Sequence, residues 1–353
     1  MTTLWKFLDE AMQYPKIYWK SRGSNFAYAG YGTGPGLGGG VEKNSPLSFG
    51  GQAFTPQACQ GIWSCFPPSL YFSPTTIKQE VWNSSRFPFV LPKVLQRKDT
   101  PTFEAWWMMV SDAVEKIQNN QLKKVVLARQ SSLKLDGKID PLHVLRMLTP
   151  YGSQASLFML QLDADTAFVG ATPEKLFHRQ ERKITSEAIA GTKGQIEQWT
   201  PKETSEIEAV QVFLHEKFMR CCRDIKWHPP EQKPFGILNH LYQSIRGDLK
   251  DEISDQELFL HLHPTPALGG LPKEAAISYL TEIEPLHRGW YGGPFGMVSP
   301  QETDMAVAIR SALIRRNEMH LFAGAGIVKG SDPQTEWQEL DRKIHHYLRF
   351  LNE

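Results

Sequence analysis

Cysteine is scarce in this chain. It occurs four times in 353 residues, at positions 59, 65, 221 and 222, and never as a C-x-x-C pair. That excludes a disulfide-built scaffold and makes a thiolate zinc or iron–sulfur site a poor reading. The four are expected to be free thiols, some of them packed, with Cys221 and Cys222 adjacent in one helix. A long apolar run is missing too, and with it any membrane-spanning helix. The formal net charge is only +1, and no basic stripe stands out, so neither a nucleic acid nor a membrane is expected as partner. The opening MTTLWKFLDEAMQYPKIYWK carries Asp9 and Glu10 where a secretory leader needs an unbroken apolar stretch. It reads as an amphipathic segment, and a cytoplasmic location is expected.

Two nucleotide-binding signatures are also lacking. Residues 24–52 are glycine-rich, but they hold no phosphate-loop lysine and do not place GxGxxG between a strand and a helix; turns and hairpins around strands are the better reading. No short period of a solenoid appears, and the regular strand–helix alternation of a dinucleotide fold is absent.

What remains is a water-soluble chain with a large core. Its length exceeds the usual single-core size, and 41% of its residues are hydrophobic at a mean hydropathy of −0.37. Ten tryptophans and nineteen phenylalanines are generous for this length. Trp106 and Trp107 fall in a predicted helix over about 102–119, where packing between layers outweighs stacking on a cofactor. From residue 122 onward the patterning is sharp. LKKVVLARQSSLKL, SLFMLQLD, TAFVGATPE, KLFHRQ, KITSEAIAG and ILNHLYQSIRGDL read as strands. So do YGGPFGMVS, DMAVAIRSALIRR and EMHLFAGAGIV. Helices are expected at PLHVLRMLT, 203–223, QELFLHLH and KEAAISYLTEI. A last helix opens at Ser331-Asp332-Pro333, where a capping residue precedes proline. Blocks of strands and blocks of helices argue for an α+β fold with a large antiparallel or mixed sheet region.

Two helix starts carry the same device. Glu203 and Glu206 stand three apart in PKETSEIEAV, and Glu336 and Glu339 stand three apart in QTEWQELDRK, with Lys343 four further on. Residues at these spacings share a helix face. Crossing two such faces would gather four carboxylates around one hard cation, with room for water and an anion. One pair alone would read as an acidic first turn favoured by the helix dipole.

Several blocks together resemble the chorismate-utilising enzymes, a family that includes isochorismate, salicylate, anthranilate and aminodeoxychorismate synthases. The matching pieces are KVVLAR at 124–129, GATPEKL at 170–176, SEAIAGT at 186–192, KETSE at 202–206 and LNHLYQSIRG at 238–247. HPTPALGGLPK at 263–273, EPLHRGWYGGPFG at 284–296, AIRS at 308–311 and GAGIVKGSDPQTEWQELDRK at 324–343 continue in the same order. The resemblance covers roughly 120–345. The first half looks short against the family, and the loop at 193–201 looks trimmed. The resemblance implies an α+β chorismate-utilising fold, with large sheets in an α/β/α sandwich-like arrangement around a central cleft. Residues 1–100 would form its N-terminal part and 101–353 its catalytic region, in one structural domain.

The same resemblance implies site residues. Lys124 matches the base that activates water at C2 of chorismate. Glu174 matches the acid that protonates the leaving C4 hydroxyl. Glu206 and Glu339 match the principal Mg²⁺ ligands, with Glu203 and Glu336 completing the shell. Arg310, Tyr291 and Lys343 resemble groups that hold substrate carboxylates, though Lys343 could equally pair with Glu339. His240 resembles a histidine near the C4 side of the ring, with a structural histidine as the plain alternative. Gly324 and Gly326 read as a turn whose backbone N–H groups approach an anion. Ala190, Gly191 and Thr192 end the SEAIAGT block and are expected to contact substrate.

Member-level features follow. Ala190 stands where aminodeoxychorismate synthases often carry a catalytic lysine, which leaves room for water over C2. Ala267 and Leu268 stand where aminating and salicylate-forming members have threonine. The expectation is a Mg²⁺-dependent isochorismate synthase interconverting chorismate and isochorismate, for menaquinone synthesis. Salicylate synthase, or isochorismate supply to siderophores, are the alternatives. No glutaminase subunit is expected, and the chain should be a monomer or homodimer.

Overall fold

The computed structural model describes residues 3–34, 47–84, 91–194, 201–235 and 238–351. Its first elements are α1 Thr3–Asp9, β1 Lys16–Lys20, β2 Phe26–Thr33, β3 Ser48–Gln52, β4 Ser69–Phe72, β5 Pro74–Val81 and β6 Val94–Thr100. Next come α2 Phe103–Gln118, β7 Lys124–Leu135, α3 Pro141–Leu148, β8 Ser156–Gln161, β9 Thr166–Thr172, β10 Lys175–Gln180 and β11 Lys183–Gly194. Then follow α4 Pro201–Cys221, β12 Cys222–Trp227, β13 Glu231–Phe235, β14 Leu238–Leu249, α5 Asp255–Leu262, β15 Gly270–Leu271 and α6 Lys273–Ile283. The chain closes with β16 Pro294–Val298, β17 Glu302–Val307, β18 Ser311–Arg315, β19 Glu318–Ile327 and α7 Pro333–Leu348.

These strands build two antiparallel sheets. One runs β15-β7-β19-β18-β9-β8-β1-β2-β5 with β6 beside β7; the other runs β12-β14-β11-β10-β17-β16-β3-β4 with β13 beside β14. Strand alternation decides what lies between them. Ile17, Trp19, Phe158, Leu160, Phe168, Leu313 and Phe322 of the first sheet meet Phe49, Phe72, Phe295 and Met297 of the second in one buried layer. The rings of Phe158 and Phe295 stack at 4.5 Å across it. The opposite faces are covered by helices: α7 on β19 and α2 on α7, α3 on β8 and β9, and α4 on β11 and β14. The α+β sandwich is therefore as expected, with two stacked sheets as its middle.

Strand β1 pairs with β8, and β3 pairs with β16, so the first 100 residues contribute to both sheets. Trp106 is fully buried, and its indole donates to the Pro333 carbonyl at 3.1 Å, tying α2 to the start of α7. That agrees with a packing role; Trp107 is 46% exposed. All four cysteines are free. Among the described residues no helix is long and apolar enough to cross a membrane.

Three local expectations need correction. Cys221 ends α4 and Cys222 begins β12, so the two are not in one helix. The stretch DMAVAIRSALIRR is not one strand. It breaks at Ala308–Arg310, where Arg310 takes φ +50°, and β17 lies in the second sheet while β18 lies in the first. A non-glycine residue in that left-handed region ends a strand, because the pleat cannot pass through it. Finally, Gly324 and Gly326 do not form a turn; they sit within β19, opposite Ala128 and Val126 of β7.

Phe158 is fully buried between the sheets. Phe158→Ala should lower unfolding free energy by about 3–5 kcal/mol through lost transfer energy and a residual cavity. Denaturant melts check this, and a loss below about 1 kcal/mol would mean the layer collapses around the gap.

Candidate active site

Strand β7 alternates, so Lys124 and Val126 point one way while Val125 and Leu127 join the helix-side core. The face they share with Gly324 and Gly326 of β19 is one wall of a cavity that opens to solvent. Strands β11 and β14 of the other sheet supply Ile189 and His240, the turn between β9 and β10 supplies Pro173 and Glu174, and the Ala308–Arg310 crossing supplies Ile309 and Arg310. Ala267, Leu268 and Tyr291 come from the segments on either side of α6, and Glu339 and Lys343 from α7.

Most of the polar groups here are withdrawn from water. Lys124 is 5% exposed and His240 7%. Glu174 is half-buried. Its backbone is fixed on both sides: its N–H donates to Thr172 Oγ1 at 3.2 Å and its carbonyl accepts from the Val307 N–H at 3.0 Å. Burial pushes its carboxyl up to about 7, Glu187 adds to the rise, and Lys124, Lys343 and Arg22 pull it back. The group is thus close to half-protonated at neutral pH, which suits an acid. Glu187 is itself held by Arg22 and by the Tyr242 hydroxyl, which donates at 3.0 Å.

Arg310 is also buried, and burial lowers its guanidinium to about 10, which leaves it charged near neutrality. Its Nη1 donates to the Lys343 carbonyl at 2.8 Å. Tyr291 stacks on Phe322 with ring centroids 5.3 Å apart, and burial raises its phenol, so it stays a donor. A side chain at Gly324 would bring a Cβ to 3.0 Å from the Tyr291 hydroxyl. That close approach, rather than a turn, is what glycine permits here. Lys343 Nζ pairs with Glu339 at 2.5 Å and donates to the Gly324 carbonyl at 2.8 Å, so the ion pair along the helix is present. Glu336 lies one turn earlier, 1% exposed.

Of the expected residues, Lys124, Glu174, His240, Ala267, Leu268, Tyr291, Arg310, Gly324, Gly326, Glu339 and Lys343 thus line one cavity. Glu336 does not line it but stands behind it on α7. Ala190, Gly191 and Thr192 belong to β11, and Glu203 and Glu206 to the first turns of α4; their side chains lie outside the described residues. Another carboxylate-rich trio, His178, Glu302 and Asp304, lies on β10 and β17. Its members are already paired: His178 Nε2 sits 2.9 Å from Glu302, and Asp304 sits 3.1 Å from Lys175. Sequence reading missed Glu284 and Arg288, which stand behind the cavity wall; their i,i+4 Glu–Arg spacing was the available signal.

The chorismate binding enzyme family matches this chain over residues 75–352. The chain belongs to that family. Among its relatives, isochorismate synthase 2 of Arabidopsis thaliana is 36% identical over 73% of this chain and 49% of its own length. Isochorismate synthase MenF of Bacillus subtilis is 35% identical over 70% of this chain and 55% of its own. The chain therefore matches about half the length of these curated relatives. Of solved structures, MenF of Escherichia coli, the menaquinone-specific isochorismate synthase, superposes with a TM-score of 0.88 at 23% identity, covering 99% of this chain and 91% of that one. Anthranilate synthase component I of Streptococcus pneumoniae superposes at 0.73 and 19% identity, covering 94% and 90%. Both share the family fold.

The Glu174 environment is directly measurable. Isotope-edited infrared or NMR titration should find one carboxyl with a midpoint near 7 that vanishes in Glu174→Gln. Lys124→Met should move the midpoint further up, because it removes a positive neighbour. A wild-type midpoint in the ordinary carboxylate range would contradict the burial argument.

Proposed function

We propose that this chain is an isochorismate synthase that interconverts chorismate and isochorismate. Residues 1–100 and 101–353 are read as parts of one catalytic domain, because β1 and β3 run within the two sheets that frame the cleft. The observation that carries the reading is a single cleft that collects Lys124 and a Glu174 held near neutral pKa. The reaction adds water at C2 and expels the C4 hydroxyl, so it needs a base and an acid at two positions on one ring. Lys124 takes the proton from the attacking water, and its Nζ becomes an ammonium. Glu174, protonated, gives its proton to the departing hydroxyl, which leaves as water. Water is consumed and water is released, and the enolpyruvyl ether stays attached. In the reverse direction Glu174 is the base and Lys124 the acid.

Arg310 and Tyr291 suit a substrate carboxylate: one offers a charged fork, the other a phenol donor, and both are buried. His240 lies on the β14 wall, suited to contact the ring hydroxyl. Lys343 keeps Glu339 in place. For Mg²⁺, the α7 carboxylates fit: Glu339 reaches the cleft and Glu336, one turn away, is closed off from solvent. Glu339 and Glu336, with Glu206 and Glu203 of α4, would hold the ion by oxygen alone, as Mg²⁺ prefers. When bound it neutralises a substrate carboxylate and draws electron density from the ring.

Ala267 and Leu268 support isomerisation over pyruvate release, since they offer no hydroxyl at the cleft wall. Similarity to MenF of Escherichia coli, the menaquinone-specific isochorismate synthase, favours supply of isochorismate for menaquinone synthesis.

Purified protein with chorismate and Mg²⁺ should yield isochorismate and no pyruvate, read by chromatography and mass. Salicylate with pyruvate, or an aminated product with ammonium, would overturn the reading. Lys124→Ala should lower kcat by roughly 10²–10⁴-fold, the range of a lost general base, and retained turnover would remove that role. The alkaline limb of kcat/KM should fall as pH rises through about 7, because Glu174 must be protonated in the free enzyme. A profile flat well above that pH would contradict it. Ala267→Thr should let some pyruvate appear, and an unchanged product mixture would mean that this position does not set the outcome.

A further inference from the structure

The edge of β7 that carries the cleft lysine is incompletely paired by strands. Toward its start it meets β15, with Gly270 opposite Val125 and Leu271 opposite Lys124. Toward its end it meets β6, from Gln130 onward. Between them the Val126 carbonyl and the Ala128 N–H point to the same edge, since both groups of alternate residues face one side in an antiparallel pair. Two side chains take the place of a strand. Arg288 Nη2 donates to the Val126 carbonyl at 2.5 Å, and Glu284 Oε1 accepts from the Ala128 N–H at 2.8 Å.

The same two residues are bound to each other, Arg288 Nε to Glu284 Oε2 at 2.8 Å and Nη2 to Oε1 at 2.5 Å. Arg288 Nη1 reaches the Leu268 carbonyl at 2.9 Å, and the Arg288 carbonyl accepts from the Tyr291 N–H at 2.9 Å. The guanidinium lies over the Phe54 ring at 4.4 Å, and the two side chains are 3% and 5% exposed. Lys124, Leu268 and Tyr291 are brought to the cleft by three separate segments, and these bonds join all three. Withdrawing two charges from water is a poor route to stability in itself. What the pair supplies is geometry, a planar fork whose donors have fixed directions.

We infer that Glu284 and Arg288 are a positioning pair that locks the Lys124 stretch of β7, the Ala267–Leu268 wall and Tyr291 into one frame. Its role in turnover rests on the isochorismate synthase reading. A lysine at 288 keeps the positive charge but, as a point donor, cannot serve Glu284 and two carbonyls in different directions. Substrate would still be held by Arg310, on the crossing between β17 and β18, while the base and the wall drift relative to the ring. A displacement of about 1 Å is worth roughly 10²-fold in rate.

The test is Arg288→Lys, with Glu284→Gln as a second variant, each compared with wild type by kcat, KM, thermal melting and peptide-level hydrogen exchange. The expected result is a folded variant with kcat down roughly ten- to a hundredfold and KM changed much less. Exchange should rise in peptides spanning 124–129 and 265–269 but not in α3. A folded variant with wild-type kcat and wild-type exchange in those peptides would overturn the inference. So would exchange rising throughout the chain, with kcat lost only in proportion to unfolded protein, or failure of both variants to fold. If wild type itself makes no isochorismate, the functional reading fails on its own, and the exchange contrast still decides whether the pair holds these segments.

Discussion

Ionisable groups held between two apolar sheets are the constraint on which the rest depends. Aromatic packing between the sheets, centred on Phe158, Phe168 and Phe295, sets their separation. At the cavity that packing gives way to Lys124, Glu174, His240 and Arg310. A charge removed from water either finds a partner or moves its pKa. Both outcomes occur here. Arg310 donates to the α7 backbone and stays charged, whereas the Glu174 carboxyl is pushed toward neutrality. The chemistry proposed for the cleft needs this contrast, a fixed cation for substrate and an acid that gives up its proton near neutral pH.

The crossing of the chain between sheets places these groups together. Strand β17 ends in one sheet and β18 begins in the other, and Arg310 occupies the joint in a left-handed conformation. Its carbonyl accepts from the Ala171 N–H at 3.1 Å and from the Tyr347 hydroxyl at 3.1 Å, so the joint is bonded to β9 and α7. Helix α7 is anchored from its other side. Arg129 reaches Asp341 at 2.6 Å and lies over the Trp337 ring at 4.2 Å. The face bearing Glu339 and Lys343 is thereby turned toward the cleft.

Much of this was legible in the sequence, for identifiable reasons. Strands β7, β8 and β9 announce themselves as apolar runs rich in strand-forming residues, and helix α7 through its helical period and a capping Asp332 beside Pro333. The cleft residues were legible because they sit in sequence blocks that resemble one family, not because periodicity points to them. What escaped is what depends on tertiary context. DMAVAIRSALIRR alternates well enough to read as one strand, and the turn in φ at Arg310 leaves no mark in composition. Gly324 and Gly326 suggested a turn, yet pairing with β7 keeps them extended. β12 is only six residues long and follows α4 directly, so the helical pattern of α4 runs into it, although Ile225 and Trp227 alternate within it. Glu284 and Arg288 look like an ordinary surface pair until β7 is seen to be bonded there by their side chains instead of by a strand.

In the proposed reaction water enters at one ring carbon while a hydroxyl leaves another in the same cleft. Turnover of chorismate in oxygen-18 water tests this most directly, with the product analysed by mass before much reverse reaction. The label should appear once, in the C2 hydroxyl of isochorismate, and not in remaining chorismate at early times. Isochorismate formed without label would mean that the hydroxyl migrates within the substrate. Lys124 and Glu174 could not then be the base and acid of a water addition.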